Sequence, residues 1–196
     1  MSIKSVLRAL VQMRSVRIFL RLMFGIFYDR SYLVGRHFDH GFGGWLWALK
    51  GVWFQKVLGF NRAVPWPTDH RLKISNFRNI RFHPDDLDNF QSPGCYFQNA
   101  NAEITIGLHS PIGPNVGLIT SNHDVANPDH NLPGLNIVIG SHCWIGMNAV
   151  ILPGVVLGDH TVVGAGAIVT RSFPEGQCVI AGVPARVVRR LNVASK

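Results

Sequence analysis

ITIGLHSPIGPNVGLIT at residues 104–120 and IVIGSHCWIGMNAVILPGVVLGDHTVVGAGAIVT at 137–170 share one beat of six. An aliphatic residue falls at Ile106, Ile112 and Leu118, and again at Ile139, Ile145, Ile151, Leu157, Val163 and Val169. A glycine follows directly at Gly107, Gly113, Gly140, Gly146, Gly158 and Gly164. A helix repeats near 3.6 and a strand near 2, and neither alone produces a strict six. A fixed period of six on aliphatic–Gly pairs is the signature of a hexapeptide β-helix, each unit a short strand and a turn. The aliphatic residue is expected inside, stacked on its copies in the coils above and below. The glycine is expected to ease the corner, where a side chain would strain the backbone.

The same run, continued through RSFPEGQCVIAGVPARVV to residue 188, resembles the hexapeptide-repeat acyltransferases. Within them it is most similar to the sugar O-acetyltransferases that act on maltose, galactosides and nodulation factors. The likeness covers roughly the last two thirds of the chain. It implies an all-β, left-handed parallel β-helix, against the usual right-handed crossover rule. It also implies a homotrimer with active sites between subunits, and acetyl-CoA as donor.

The two repeat blocks are out of step. Between Ile112 and Ile139 lie 27 residues, not a multiple of six, so a loop at about 120–136 must leave the coil. Its sequence, SNHDVANPDHNLPGLN, has the composition for that. Loops on a rigid scaffold are where function concentrates. His123 stands at its start, straight after the strand GLIT, and a neutral imidazole is well matched to removing a proton near neutral pH. The resemblance places the family's catalytic His here, after a T-x-x-H segment that reads Thr120, Ser121, Asn122, His123. Asp124, Asp129 or a backbone carbonyl would orient the ring, and His130 reads as a loop residue.

The remaining site residues come from the resemblance. An Asn in an aromatic-rich strand lines the acceptor pocket of the sugar enzymes, and Asn99 matches it best, with Asn101 next. The competing reading makes these asparagines turn corners or a stacked ladder. Trp144 precedes an inward Ile145 and so points outward, toward an acceptor or pantetheine groove or toward a subunit contact. The bulk-free segment GAGAIVT suits a pantetheine arm approaching the backbone. Positions matching Ala165, Thr170 and Arg171 contact CoA in the family. Arg186 and Arg189 are placed to meet the CoA phosphates through their planar forks, whereas Arg190 reads as solvated charge. His142 and His160, 18 apart, should stack in successive coils at turn positions. The γ-class carbonic anhydrases share the fold and bind zinc through three histidines, but no His-x4-His pair occurs here and no metal is expected.

Residues 1–60 form an N-terminal helical, basic and aromatic extension, ahead of a β-helix domain at 61–192. In a helix over 13–28, Val16, Phe19, Leu20, Met23 and Phe27 share one face, and Arg14, Arg17 and Arg21 lie opposite. It is too short and too often broken by arginine to span a bilayer. Two fates are open: a place in the membrane interface, or packing on the solenoid with the arginines in water. Over 45–60, Leu46, Leu49, Trp53, Val57 and Phe60 form a second stripe, for solenoid, subunit or lipid headgroups. Pro65 and Pro67 exclude helix, and Ile74 and Ile80 read as irregular first rungs. The net charge of +8 on 196 residues suits an anionic cofactor or membrane, and no nucleic-acid module is recognised. Three scattered cysteines indicate a reducing, cytoplasmic setting, and the interfacial fate of residues 1–60 would place the protein peripherally at the inner face of the membrane. No cleavable leader is read. The function expected is O-acetylation of a sugar, such as a capsule, exopolysaccharide or lipopolysaccharide precursor. N-acetylation of an amino-sugar and a non-catalytic trimeric scaffold are the alternatives.

Overall fold

The computed structural model describes residues 13–129 and 132–192. The chain divides into two compact units, with the boundary between His70 and Arg71.

The first unit is helical. Helix α1 spans Arg14–Phe24, α2 is the single turn Arg36–Asp39, and α3 spans Gly43–Gly51 and runs on into a wider π-type turn over Val52–Val57. Segment 61–70, expected to open the solenoid, belongs to this unit because its main chain is held by a buried glutamine. Gln55 Nε2 donates to the carbonyls of Val64 and Trp66 at 2.9 and 3.1 Å, and its Oε1 accepts from Thr68 N–H at 3.2 Å. Asp29 N–H donates to Pro65 O at 2.9 Å. Trp66 is almost fully buried beside Tyr32, with ring centroids 4.9 Å apart.

The second unit is a parallel β-helix with three sheets. One contains β1 (Lys73–Ile74), β3 (Tyr96–Gln98), β5 (Gly117–Ile119), β8 (Val150–Ile151) and β11 (Ile168–Val169). The second contains β2 (Ile80–Arg81), β4 (Ile104–Ile106), β6 (Ile137–Ile139) and β9 (Val156–Leu157). The third contains β7 (Trp144–Ile145), β10 (Thr161–Val163), β12 (Cys178–Ala181) and β13 (Arg186–Arg190). Every pairing is parallel except that of β12 with β13.

Registry follows the sequence beat. Ile139 pairs with Leu157, Ile145 with Val163 and Ile151 with Val169, each 18 residues on. Ile106 pairs with Ile139, Ile112 with Ile145 and Leu118 with Ile151, each 33 on. That coil therefore holds fifteen residues beyond the regular eighteen. All nine aliphatic beat residues are buried. Ile74 and Ile80 do begin the coil, through β1 and β2. In the first coil a 3₁₀ segment, Pro84–Gln91, stands in for the third strand. Asn89 ties it to the next coil, accepting from Ile112 N–H at 2.8 Å and donating to Ser110 O at 3.1 Å.

The glycines of the beat work differently from the sequence expectation. None of the six has a positive φ. The left-handed corner comes two residues after each, at His109, Asn115, His142, Asn148, His160 and Gly166. His and Asn are among the non-glycine residues enriched in that region. The beat glycines are required by close stacking instead. A Cβ on Gly107 would lie 2.4 Å from the main-chain carbon of Gly140, and one on Gly158 would lie 2.2 Å from Pro174 O.

Candidate active site

The loop leaves the coil between β5 and β6. Its departure is held by Gln98, which the sequence reading passed over. Gln98 Oε1 accepts from the N–H groups of Thr120 and Ser121 at 3.0 and 3.1 Å, and its Nε2 donates to Ser121 Oγ at 2.8 Å. Thr120 is buried and donates its hydroxyl to Gln98 O at 2.8 Å. The return is fixed as firmly: Leu132 N–H donates to Asn122 O, Leu135 N–H to Thr120 O, and Asn136 Oδ1 accepts from Glu103 N–H at 2.8 Å. The loop is thus stapled at its root, two residues from His123. A glutamine one strand below the loop is a signal only once the register of β3 against β5 is known.

His123 is exposed, with Nδ1 2.8 Å from Pro128 O. A carbonyl oxygen only accepts, so Nδ1 carries the proton. In the neutral ring that leaves the Nε2 lone pair free to take a proton. Of the three orienting groups the sequence left open, the backbone carbonyl makes this contact. Asp124 instead caps a local turn, accepting from Ala126 N–H at 2.8 Å. Asp129 is exposed, and His130 lies outside the described residues. A small hollow of about 260 Å³ beside the loop is lined by Asn122, Leu132, Pro133, Leu135 and Pro153.

Two residues expected in the donor or acceptor groove meet in one cleft. Trp144 and Ala165 line a space of about 410 Å³ together with Gly113, Pro114, Gly146, Met147, Val162, Val163 and Gly164. The lining is apolar. The side chain of Trp144 is exposed.

Asn99 occupies a different place from the one the resemblance implies. It is fully buried. Its Oδ1 accepts from Asn76 N–H at 3.0 Å, and Nδ2 donates to the carbonyls of Asn76 and Asn79 at 2.7 and 3.2 Å. Both amide hydrogens are spent on the main chain below it, so it acts here as the ladder group of the competing reading. Asn101 is exposed.

Thr170 and Arg171 follow β11 on the surface, with the Arg171 guanidinium 5.2 Å from the centre of the Phe173 ring. The exit carrying Arg186, Arg189 and Arg190 is an antiparallel strand on β12, and all three side chains are exposed. The cleft around Trp144 does not include them.

His109, His142 and His160 form a column, with ring centroids 5.4 and 5.0 Å apart and the second pair nearly parallel. The sequence spacing had paired His142 with His160; the fifteen extra loop residues hide His109 from an eighteen-residue comparison. Among the described residues no group of three or more His, Cys, Asp or Glu is arranged to hold a metal ion. Cys143 is buried in the coil, and burial pushes its thiol above the ordinary cysteine range. It is poorly suited to act as a nucleophile.

Residues 136–171 match the family model described as bacterial transferase hexapeptide (six repeats). Among curated proteins, it is 44% identical over 53 residues to the putative colanic acid biosynthesis acetyltransferase WcaF of Escherichia coli (strain K12), covering 27% of this chain and 29% of that protein. It is 49% identical over 84 residues to nodulation protein L of Rhizobium meliloti (strain 1021), covering 38% of this chain and 45% of that protein. The chain thus spans less than half the length of these curated relatives. Among solved structures, a hexapeptide-repeat containing acetyltransferase, VCA0836 from Vibrio cholerae O1 biovar eltor, complexed with acetyl coenzyme A, aligns with a TM-score of 0.48 at 33% identity. The alignment covers 51% of this chain and 55% of that one.

Proposed function

We propose that this protein is an O-acetyltransferase that moves an acetyl group from acetyl-CoA to a sugar hydroxyl. The observation that carries the proposal is His123: an exposed imidazole at the root of a stapled loop, its Nδ1 proton held by Pro128 O and its Nε2 free. The repeat family and the acetyltransferase name of WcaF support the reaction class. The acceptor class rests on the printed name of that relative, which concerns colanic acid biosynthesis. A lipid-linked polysaccharide precursor fits it.

In this mechanism Nε2 takes the proton of the acceptor hydroxyl as its oxygen attacks the thioester carbonyl. The C–S bond breaks, and the CoA thiolate leaves with the proton returned from the imidazolium. General-base help of this kind is worth about 10²–10⁴-fold in rate. Main-chain N–H groups at the coil edge would stabilise the oxyanion. The pantetheine arm would lie in the apolar cleft, over Gly164 and Ala165 and beside Trp144. Thr170, Arg171, Arg186 and Arg189 would line the path of the nucleotide, with the arginines meeting its phosphates. The coil is taken as left-handed and the assembly as a homotrimer, with a neighbouring subunit closing each cleft and Asn101 facing the acceptor.

Calorimetric titration with acetyl-CoA, followed by mass-scored transfer to a panel of sugars with and without a free amine, tests the reading. Saturable binding near one CoA per chain is expected, with an ester product. His123→Ala should leave that binding intact and reduce transfer by at least about 100-fold. Absence of binding at millimolar acetyl-CoA, or unchanged turnover in His123→Ala, would remove the reading. An amide product alone would replace it with N-acetylation.

A further inference from the structure

Helices α1 and α3 both carry apolar side chains on their outer faces. In α1, the arginine side faces the protein: Arg21 is paired with Asp39 and donates Nε–H to Leu33 O at 2.9 Å, and Arg17 Nε lies 3.8 Å from Asp39. The apolar side faces out, with Phe19 63% and Ile26 just beyond the helix 79% exposed, and Ile18 and Leu22 exposed beside them. The sequence alternative in which the arginines lie in water is therefore reversed for Arg17 and Arg21.

The second stripe behaves the same way. Trp45 and Ala48 point inward, Trp45 donating its indole N–H to Phe38 O at 3.2 Å. Leu49, Trp53 and Val57 point outward, Trp53 being 57% exposed. Large exposed apolar surfaces on a soluble fold mark interaction sites.

Charge identifies what they meet. Residues 1–70 contain ten Lys and Arg against three Asp and Glu, so +7 of the chain's net +8 sits in this unit. A second copy would bring the same excess positive charge against it, whereas an anionic bilayer surface complements it. No helix among the described residues is long and apolar enough to cross a membrane. A tryptophan within an exposed apolar stripe, with exposed Lys50 one turn before it, is the composition of an interfacial surface.

We propose that the outward stripes of α1 and of α3 with the turn Val52–Val57 that continues it dock this protein on an anionic lipid bilayer, embedding Phe19 and Trp53 at headgroup depth while basic side chains of the unit meet lipid phosphates. The docking requires no acyl transfer and stands whether or not the activity proposed above is correct.

The test is flotation of the full chain with phosphatidylcholine vesicles carrying 30% phosphatidylglycerol, alongside vesicles of phosphatidylcholine alone. These compositions are roughly those that separate charge from insertion. The protein should float with the anionic vesicles and remain below with the neutral ones. Lys50→Gln should weaken partitioning about fivefold. The double variant Phe19→Asp, Trp53→Asp should abolish flotation while keeping its circular dichroism and its mass in sedimentation. Failure of the wild-type chain to float at low salt overturns the proposal, as does equal flotation with both vesicles. A double variant that loses oligomeric mass would show the stripes to be a subunit contact, and would overturn it too.

Discussion

Gln98→Ala is the sharpest probe of how the fold positions the loop. The side chain accepts two main-chain N–H bonds from Thr120 and Ser121 and donates to Ser121 Oγ at 2.8 Å. Thr120 N–H keeps a second partner in the variant, Gln98 O at 3.0 Å, whereas Gln98 Oε1 is the partner shown for Ser121 N–H. Two net bonds at about 1 kcal/mol each place the local loss near 2 kcal/mol. The amide of Ser121 should then exchange with deuterium about 30-fold faster, while amides of β8 and β9 keep their rates, because opening at the loop root is a local event. Gln98→Glu retains the acceptor for both N–H groups and should recover much of the protection. If the proposed transfer is measurable, Gln98→Ala should lower kcat and leave acetyl-CoA binding unchanged, the pattern of a positioning residue. Unaltered exchange at Ser121 in Gln98→Ala would refute the idea that this side chain staples the loop.

Other consequences follow from the packing. Gly158→Ala forces a Cβ to 2.2 Å from Pro174 O and should cost about 3 kcal/mol in urea unfolding. Gly166→Ala meets open space and pays only for its φ of +70°, about 1 kcal/mol. Asn99→Ala removes three hydrogen bonds to main chain and should destabilise by about 3 kcal/mol; unchanged stability with a raised acceptor KM would return Asn99 to the substrate. Burial raises the thiols of Cys95 and Cys143. The folded state therefore holds protons that the unfolded chain releases above about pH 8.5. That stabilisation is complete below the unfolded thiol pKa and is lost as pH rises toward the folded one. The melting temperature should fall from pH 8.5 upward, with a shallower slope in Cys95→Ala, Cys143→Ala.

The period of six was sufficient to place the interior of the coil, because every aliphatic beat residue has the same neighbours one coil above and below. The same arithmetic located the loop, since a break in phase must leave the stack. It also placed His142 against His160. Where the sequence reading failed, the deciding contacts join residues with no fixed separation. Asn99 had a plausible partner in a sugar until β1 and its turn folded beneath it and used its amide. Gln98 became important only through register with β5, and His109 joined its column only once fifteen inserted residues were discounted. The glycine requirement was visible but its cause was not, because the clash is with the backbone of another coil rather than with the residue's own corner. The helical stripes of residues 13–60 were legible as periodicity, yet periodicity assigns residues to a face without saying whether that face is inside. Only the packing of Asp39 against Arg17 and Arg21, and of Phe38 against Trp45, turned the apolar sides outward. Sequence determined the repeat, because repetition is local and summed along the chain. Tertiary structure decided the ends, the loop root and the outward faces, because each rests on one-off contacts between distant residues.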